Sequence, residues 1–539
     1  MKDAGRLAST SLYLKQSTDP HFVEQARPGS SRFADRPKTR STTLAGVRRI
    51  FIGVRFPIET MIDTSTLSTA LKRAFRLATA KLAPTASSER RAPVVNLPFL
   101  GLGASSTDRL DAMMRASLEH GHVVRFELPW ITAHLITHPD QIEEVLITRQ
   151  REFDKRTRGY DKLREFLGEG LLTSDGDFWR RQRRIAQPAF HRKQIDGFVT
   201  TMASCTERML DRWESEPARE RDVAAEMMRL TLQIASITLL SSDTEKHSGR
   251  SEAVGRAVTT LVHEANQRIS EIITPPDAWP TRRNRLLREA RETLDRTVND
   301  IIQERRRMHA RGQESAGEKD LLQLFMEATD ETGGRMNDKQ LRDEVMTMFL
   351  AGHETTANAL AWCFYLLGTS PQIARALHEE AVRVLGDREP TAEDVPRLEV
   401  ARRVFAEALR LYPPIWIVGR SAIEDMQLGG YFIPKRSVVF IVPWITHRHP
   451  DFWTDPEGFD PDRFAPESRA QRHKHQYLPF IAGPRMCIGA SFAQVEGQLV
   501  LAQVARRFRL PLIPAQRVLP EPVITLRPKT GVRVSIEKW

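Results

Sequence analysis

One segment sets the scale of any fold this chain can adopt. Residues Asp338 to Leu367 read DKQLRDEVMTMFLAGHETTANALAWCFYLL. Asn337 can cap it, with Gln340 reaching back three residues on, and Gly368 and Pro371 are stop signals. Thirty helical residues span roughly 45 Å. The second half is apolar on both faces, so the helix is expected to run through a core. Its middle nevertheless reads Ala351-Gly352-His353-Glu354-Thr355-Thr356. A mid-helix glycine costs ~1 kcal/mol against alanine, and a buried carboxylate costs more. Such local rule-breaking marks functional sites. Gly352 lets a ligand approach the backbone, Thr355 offers a hydroxyl to the helix or to a guest, and Glu354 offers a proton carrier. The plainer alternative is a kinked core helix whose Glu354 reaches solvent. HETTA is not a zinc-protease HExxH, because residue 357 is alanine.

The rest of the chain reads as mainly α with small β-sheets. Strand-like patches stand at His122–Phe126 and Ala133–Ile136, and helical periods dominate afterwards. Residues 1–90 differ in character. They carry 16 Lys and Arg against 7 Asp and Glu, which accounts for +9 of the net +11. The basic balance therefore belongs to this extension and is no signal for nucleic acid. The extension is expected to be disordered, except that Leu67, Leu71, Phe75, Ala78 and Leu82 mark an amphipathic helix over 65–83. That helix suits a membrane surface or a transit peptide; the plainer alternative is an unstructured leader, or a start codon placed too far upstream with Met61 as a later start. The catalytic body is expected over 91–539. No run of 18 apolar residues suggests a transmembrane helix.

Three cysteines, Cys205, Cys363 and Cys487, lie far apart. They form no disulfide framework and no four-cysteine metal site, which fits a reducing, cytoplasmic setting. Cys487 sits in PFIAGPRMCIGA, between Gly483 and Gly489 and two residues after Arg485. A helical period begins at Ser491, so backbone N–H groups point at the thiol and are expected to lower its pKa. The result is a nucleophile or a metal ligand; the alternative is an inert buried thiol. The glycines suggest something large and flat against the backbone. In VARRVFAEALRLYPP, Glu407 and Arg410 stand three apart on one helix face. Alone they read as a solvated pair worth under ~0.5 kcal/mol.

Together these segments resemble the cytochrome P450 family. Phe480 to Gly489 matches F-x-x-G-x-R-x-C-x-G at every fixed position. Ala351–Thr356 matches A-G-x-E-T-T, Glu407–Arg410 matches E-x-x-R, Phe459–Phe464 resembles the segment carrying a third network residue, Arg463, and Trp179–Arg183 matches W-x-x-x-R. The resemblance implies a P450 fold with haem b between a long distal helix and a proximal cysteine-loop helix. It implies that Cys487 is the axial thiolate, which favours O–O cleavage. Phe480, Gly483 and Gly489 would pack the haem's proximal face, and Ala351 and Gly352 its distal face. Arg485, Trp179, Arg183 and, more loosely, Arg420 would meet propionates. Thr355 and Glu354 would deliver protons. Glu407, Arg410 and Arg463 would form a buried brace.

The activity so implied is insertion of one oxygen atom of O2 into a C–H bond of a hydrophobic small molecule. The pocket candidates are Phe349, Ile415, Trp416, Ile417, Val418, Val523 and Ile524, with Lys155–Leu172 part of a lid. Electrons would come from a separate acidic ferredoxin or flavodoxin, ultimately from NAD(P)H. That partner would meet Arg180, Arg181, Arg184, Arg472 and Lys474, although an ordinary solvated face explains these residues as well. A monomer is expected. A peroxide-driven enzyme or a haem-thiolate sensor without turnover are the alternatives, and the intact Glu354-Thr355-Thr356 speaks against both.

Overall fold

The computed structural model describes residues 90–95, 106–128, 131–216, 219–240, parts of 255–268, 276, 278–311, 319–331 and 333–539. All of them fall in the compact unit Ala78–Trp539. The expected extension, Arg90 apart, and the helix over 65–83 lie outside the described residues.

Five helices frame the interior: α1 (Gly176–Ala186), α2 (Val223–Leu240), α3 (Asp338–Thr369), α4 (Glu399–Leu411) and α5 (Ala490–Arg507). The axis of the body is α3, which packs on α2, α4 and α5. Its start is the expected capping box: Gln340 N–H donates to Asn337 Oδ1 at 2.9 Å, and Asn337 N–H to Gln340 Oε1 at 2.8 Å. Its end differs from expectation. The helix runs through Gly368 to Thr369. A Cβ at Gly368 would stand 2.8 Å from Leu512 Cγ and 3.1 Å from the Leu510 carbonyl oxygen. Gly368 therefore admits a crossing segment, and the turn is made at Ser370, before Pro371 opens the next helix.

Beside the helices lies a five-stranded sheet of β1 (Val123–Leu128), β2 (Ile131–Ile136), β3 (Phe153–Asp154), β4 (Val418–Ala422) and β5 (Val438–Ile441), in the order β1-β2-β5-β4-β3. Only β2 and β5 pair in parallel. Val123, Ile136, Val418 and Ile441 bury one part of the sheet together with Leu146. The main core gathers around α3, where Leu360, Trp362 and Cys363 are fully buried. No described helix is long and apolar enough to cross a membrane.

Candidate active site

Between α3, α5 and the sheet lies a cavity of about 1200 Å³. One wall is the loop from Phe480 to Gly489, and its shape is fixed by backbone. Gly483–Arg485 makes one 3-10 turn, Met486 N–H bonds the Gly483 carbonyl at 3.0 Å, and Cys487 N–H bonds the Phe480 carbonyl at 3.0 Å. Ile481 at φ 60 and Gly483 at φ 73 are both left-handed. Such a conformation is strained for a β-branched isoleucine. The loop delivers Cys487 three residues before α5 begins. Cys487 is exposed, and its surface opens on the cavity. Burial pushes the Cys487 thiol up, against the Gly489 N–H and the Arg183 guanidinium, which favour the thiolate. The lowering expected from the helix start alone is thus outweighed in the protein matrix.

The opposite wall is α3. Met348, Ala351, Gly352, Thr355 and Ala359 form a stripe at helical spacing along it. A Cβ added at Gly352 would meet nothing within 4 Å. The Thr355 hydroxyl donates to the Ala351 carbonyl at 2.6 Å. Glu354 is 6% exposed, so it does not reach solvent. It accepts from Thr525 Oγ1 at 2.6 Å, and Asn358 Nδ2 donates to that hydroxyl at 3.1 Å. Burial raises the Glu354 pKa, opposed by this bond and by Arg527. Burial thus biases this carboxyl, beside the cavity, towards its protonated form.

At one end of the cavity, cations crowd. Arg485 stacks on the Trp179 ring at 3.6 Å from its centroid. It donates to the Ser174 carbonyl at 2.9 Å and pairs with Asp175. Arg420 reaches the Gly419 carbonyl at 2.9 Å and Tyr160 Oη at 3.5 Å. Buried Lys155 donates Nζ to the Leu172 carbonyl at 2.7 Å. Burial and then Arg420 and Arg485 press the Lys155 pKa down, and burial holds Arg485 at about 10. Three cations against the single Asp175 leave this end short of negative charge.

Behind the cysteine wall, Glu407 and Arg410 are fully buried and joined by two bonds of 2.7 Å. Arg410 also donates to the carbonyls of His447, Pro456 and Gly458. Arg463 Nε lies 3.4 Å from Glu407 Oε1. The three residues do come together, and the solvated reading of the pair is overturned.

The sequence pattern described as Cytochrome P450 matches residues 91–533. The chain belongs to the cytochrome P450 family. It is 36% identical over 458 residues to cyclooctatin synthase of Streptomyces melanosporofaciens, covering 85% of this chain and 97% of that one. It is 33% identical over 433 residues to pentalenene oxygenase of Streptomyces avermitilis, covering 80% and 93%. The crystal structure of the cytochrome P450DA heme domain superposes with a TM-score of 0.74 at 29% identity, covering 84% of this chain and 98% of that one. The chain is accordingly a cytochrome P450 monooxygenase.

Membership implies haem, and the cavity fits one. A thiol faces inward on one wall. Across from it, a stripe with no Cβ at Gly352 leaves room for a flat guest. The cationic end suits two carboxylates. Not every expectation for this P450 holds. Gly483 does not line the cavity; its Cβ would stand 2.2 Å from the Leu146 carbonyl oxygen, so glycine is required by neighbouring backbone. Gly489 does line it, and a Cβ there would make only ordinary contacts, 3.9 Å to Phe190 Cε1 and 4.0 Å to Cys487 Sγ. Phe349 turns away from the cavity. It lies roughly 100° around α3 from the centre of the Ala351 stripe, its ring tilts against His353 with centroids 5.7 Å apart, and it packs beside Leu163 and Phe166. Ile415, Trp416, Ile417, Val418, Val523 and Ile524 all line the cavity. Arg183 lines it too, but its guanidinium donates to the Met486 carbonyl at 3.0 Å and so braces the cysteine loop. The basic face is largely neutralised: Arg180 pairs with Asp177, Arg181 with Asp330 and Arg184 with Glu331.

Two cavity residues escape sequence reasoning. Lys155 reads as a lid residue, and only the fold brings it to Arg420 and Arg485. Glu496, on α5, is 1% exposed and lines the cavity. The Thr356 hydroxyl donates to the Gly352 carbonyl at 3.2 Å, and among the described residues neither carboxylate oxygen of Glu496 has a hydrogen-bond partner of good geometry. Burial pushes its pKa up to about 8. Its place on a strongly apolar helix, nine residues after Cys487, was the available signal.

Proposed function

We propose that this P450 hydroxylates an apolar molecule of fatty-acid, terpenoid or steroid size, with Cys487 Sγ holding a haem iron. The observation that carries this reading is the inward-facing thiol opposite the Ala351–Thr355 stripe, with Lys155, Arg420 and Arg485 gathered at one end of the same cavity. When bound, the haem supplies the O2-activating chemistry, and the protein supplies orientation, protons and access. The positive charge of Arg485, Arg420 and Lys155, which exceeds that of Asp175, would hold the propionates, with Trp179 stacked on Arg485. Phe480 and Gly489 would pack against the haem on the cysteine wall, and Ala351 and Gly352 would leave space for it on α3. Thr355 Oγ1, anchored on the Ala351 carbonyl, orients a water or a polar guest atom. Glu354 holds a proton at its carboxyl and exchanges it with Thr525 Oγ1. Glu407, Arg410 and Arg463 hold the segment behind the cysteine loop.

Ile415, Trp416, Ile417, Val418, Val523 and Ile524 exclude water and favour an apolar substrate. Relatives named for pentalenene and for cyclooctat-9-en-7-ol support that class. Electrons would come from a separate acidic ferredoxin or flavodoxin in the cytoplasm, docking over the face that carries Arg180, Arg181, Arg184, Arg472 and Lys474. A reduction rate that falls with salt supports this partner; a flat profile counts against it.

The test is the carbon monoxide difference spectrum of the reduced protein. A red-shifted Soret band of thiolate-ligated haem, lost in Cys487→Ala, is expected. A band of the histidine-ligated type, or one that survives the substitution, overturns the assignment. Reductant consumption with product formation, given a surrogate ferredoxin and its reductase, separates turnover from mere ligand sensing.

A further inference from the structure

Away from the cavity, where β1 begins, imidazoles and a carboxylate converge. His122 stands one residue before β1, and His449 and Asp451 lie beyond the short helix Pro443–Thr446. His122 Nε2 is 3.4 Å from Asp451 Oδ2, and His449 Nδ1 is 3.8 Å from the same oxygen. The donor atoms of the three residues all lie within 4.8 Å of one another. These separations are long for charge-assisted hydrogen bonds, which run ~2.7–2.9 Å. They approach the edge of a coordination tetrahedron, because ligands ~2.0–2.2 Å from a zinc ion stand about 3.4 Å apart.

The rings are also set for the purpose. His122 Nδ1 is 2.9 Å from Thr137 Oγ1, which is itself 3.0 Å from Ser117 Oγ. With Nδ1 donating to Thr137, Nε2 keeps its lone pair towards Asp451, the arrangement a metal-bound imidazole needs. His449 is 3% exposed and poorly bonded for a buried polar ring. Its Nδ1, the atom 3.8 Å from Asp451 Oδ2, is held only by the long bond from the Asp451 N–H at 3.3 Å, so its lone pair is open to an ion that joins the three donors. Phe452 stacks on His122 with ring centroids 5.4 Å apart and shields one side.

We propose that His122, His449 and Asp451 form a binding site for a zinc-class divalent transition metal, with a fourth position open to water. Two imidazoles and one carboxylate suit such an ion better than magnesium or calcium, which want oxygen ligands. The ion would clip the start of β1 to segment 447–451. His447 of that segment supplies a carbonyl to Arg410, so the clip would stiffen the scaffold behind the cysteine wall without touching the cavity.

The test uses the full-length protein as purified, without a polyhistidine tag and stripped by a chelator. Zn2+ is titrated by calorimetry, bound metal is measured by mass spectrometry, and the melting temperature is followed. One saturable equivalent and a raised melting temperature are expected. Asp451→Asn, at an exposed side chain, should weaken binding more than about tenfold. The double variant His122→Ala with Asp451→Asn should lose the equivalent, whereas His120→Ala should keep it. No saturable equivalent in the wild type, or one that survives the double variant, overturns the site. Mg2+ binding as well as Zn2+ overturns the metal class.

Discussion

Across the cavity, the same residue type serves opposite ends. On α3, Gly352 faces open space, and the helix around it is regular from Asp338 to Thr369. On the cysteine wall, Gly483 sits at φ 73 with the Leu146 carbonyl where a side chain would begin, and Ile481 beside it is strained. The distal wall is shaped by which side chains are small. The proximal wall is shaped by backbone that other backbone locks in place. One wall can therefore be retuned by substitution, and the other tolerates little.

The comparison breaks first at Cys487. Cys487→Ala should abolish the thiolate band and turnover while leaving the fold intact, as circular dichroism would show. Next comes the brace behind that wall: Glu407→Ala leaves Arg410 buried and unpaired and should cost ~3–5 kcal/mol in a denaturant titration. A matched pair then sharpens the contrast directly. Gly483→Ala should destabilise by at least ~1–3 kcal/mol through left-handed strain and collision with Leu146. Gly352→Ala should leave stability equal or gain up to ~1 kcal/mol while altering ligand spectra. Equal losses at both positions would remove the distinction between the walls. Thr355→Ala should bind haem normally and lower product formed per reductant consumed; coupling at the wild-type level would sink the proposed role.

A pH-dependent effect concerns Glu496. Its folded pKa, about 8, lies above the ordinary carboxyl value of 4.5. The folded protein thus holds a proton that the unfolded chain releases. The stabilisation is complete below pH ~4.5 and is lost as pH rises through about 8. Glu496→Gln should flatten the stability profile across that window, measured by melting temperature against pH.

Sequence reached the walls unequally for the same physical reason. The cap at Asn337, the stripe through Ala351 and Thr355 and the pair Glu407–Arg410 are local patterns, readable at helical spacing. The loop signature located Cys487, but the reason for Gly483 is Leu146, more than 300 residues upstream. Gly368 was a false stop because a strand-like segment at Leu510–Leu512 crosses it. Phe349 looked like a pocket residue on hydrophobicity alone, yet its angular position on α3 turns it away from the guest. Lys155 and Glu496 needed the fold, since nothing near them in sequence says what they face.

The crowding of Lys155, Arg420 and Arg485 has a consequence for how the protein is assembled. An empty cleft would hold like charges together at a cost, so the cofactor acts as a counterion as well as a reagent. Loading would then be a neutralisation, and a flat dianion would be preferred there to a neutral molecule of the same shape.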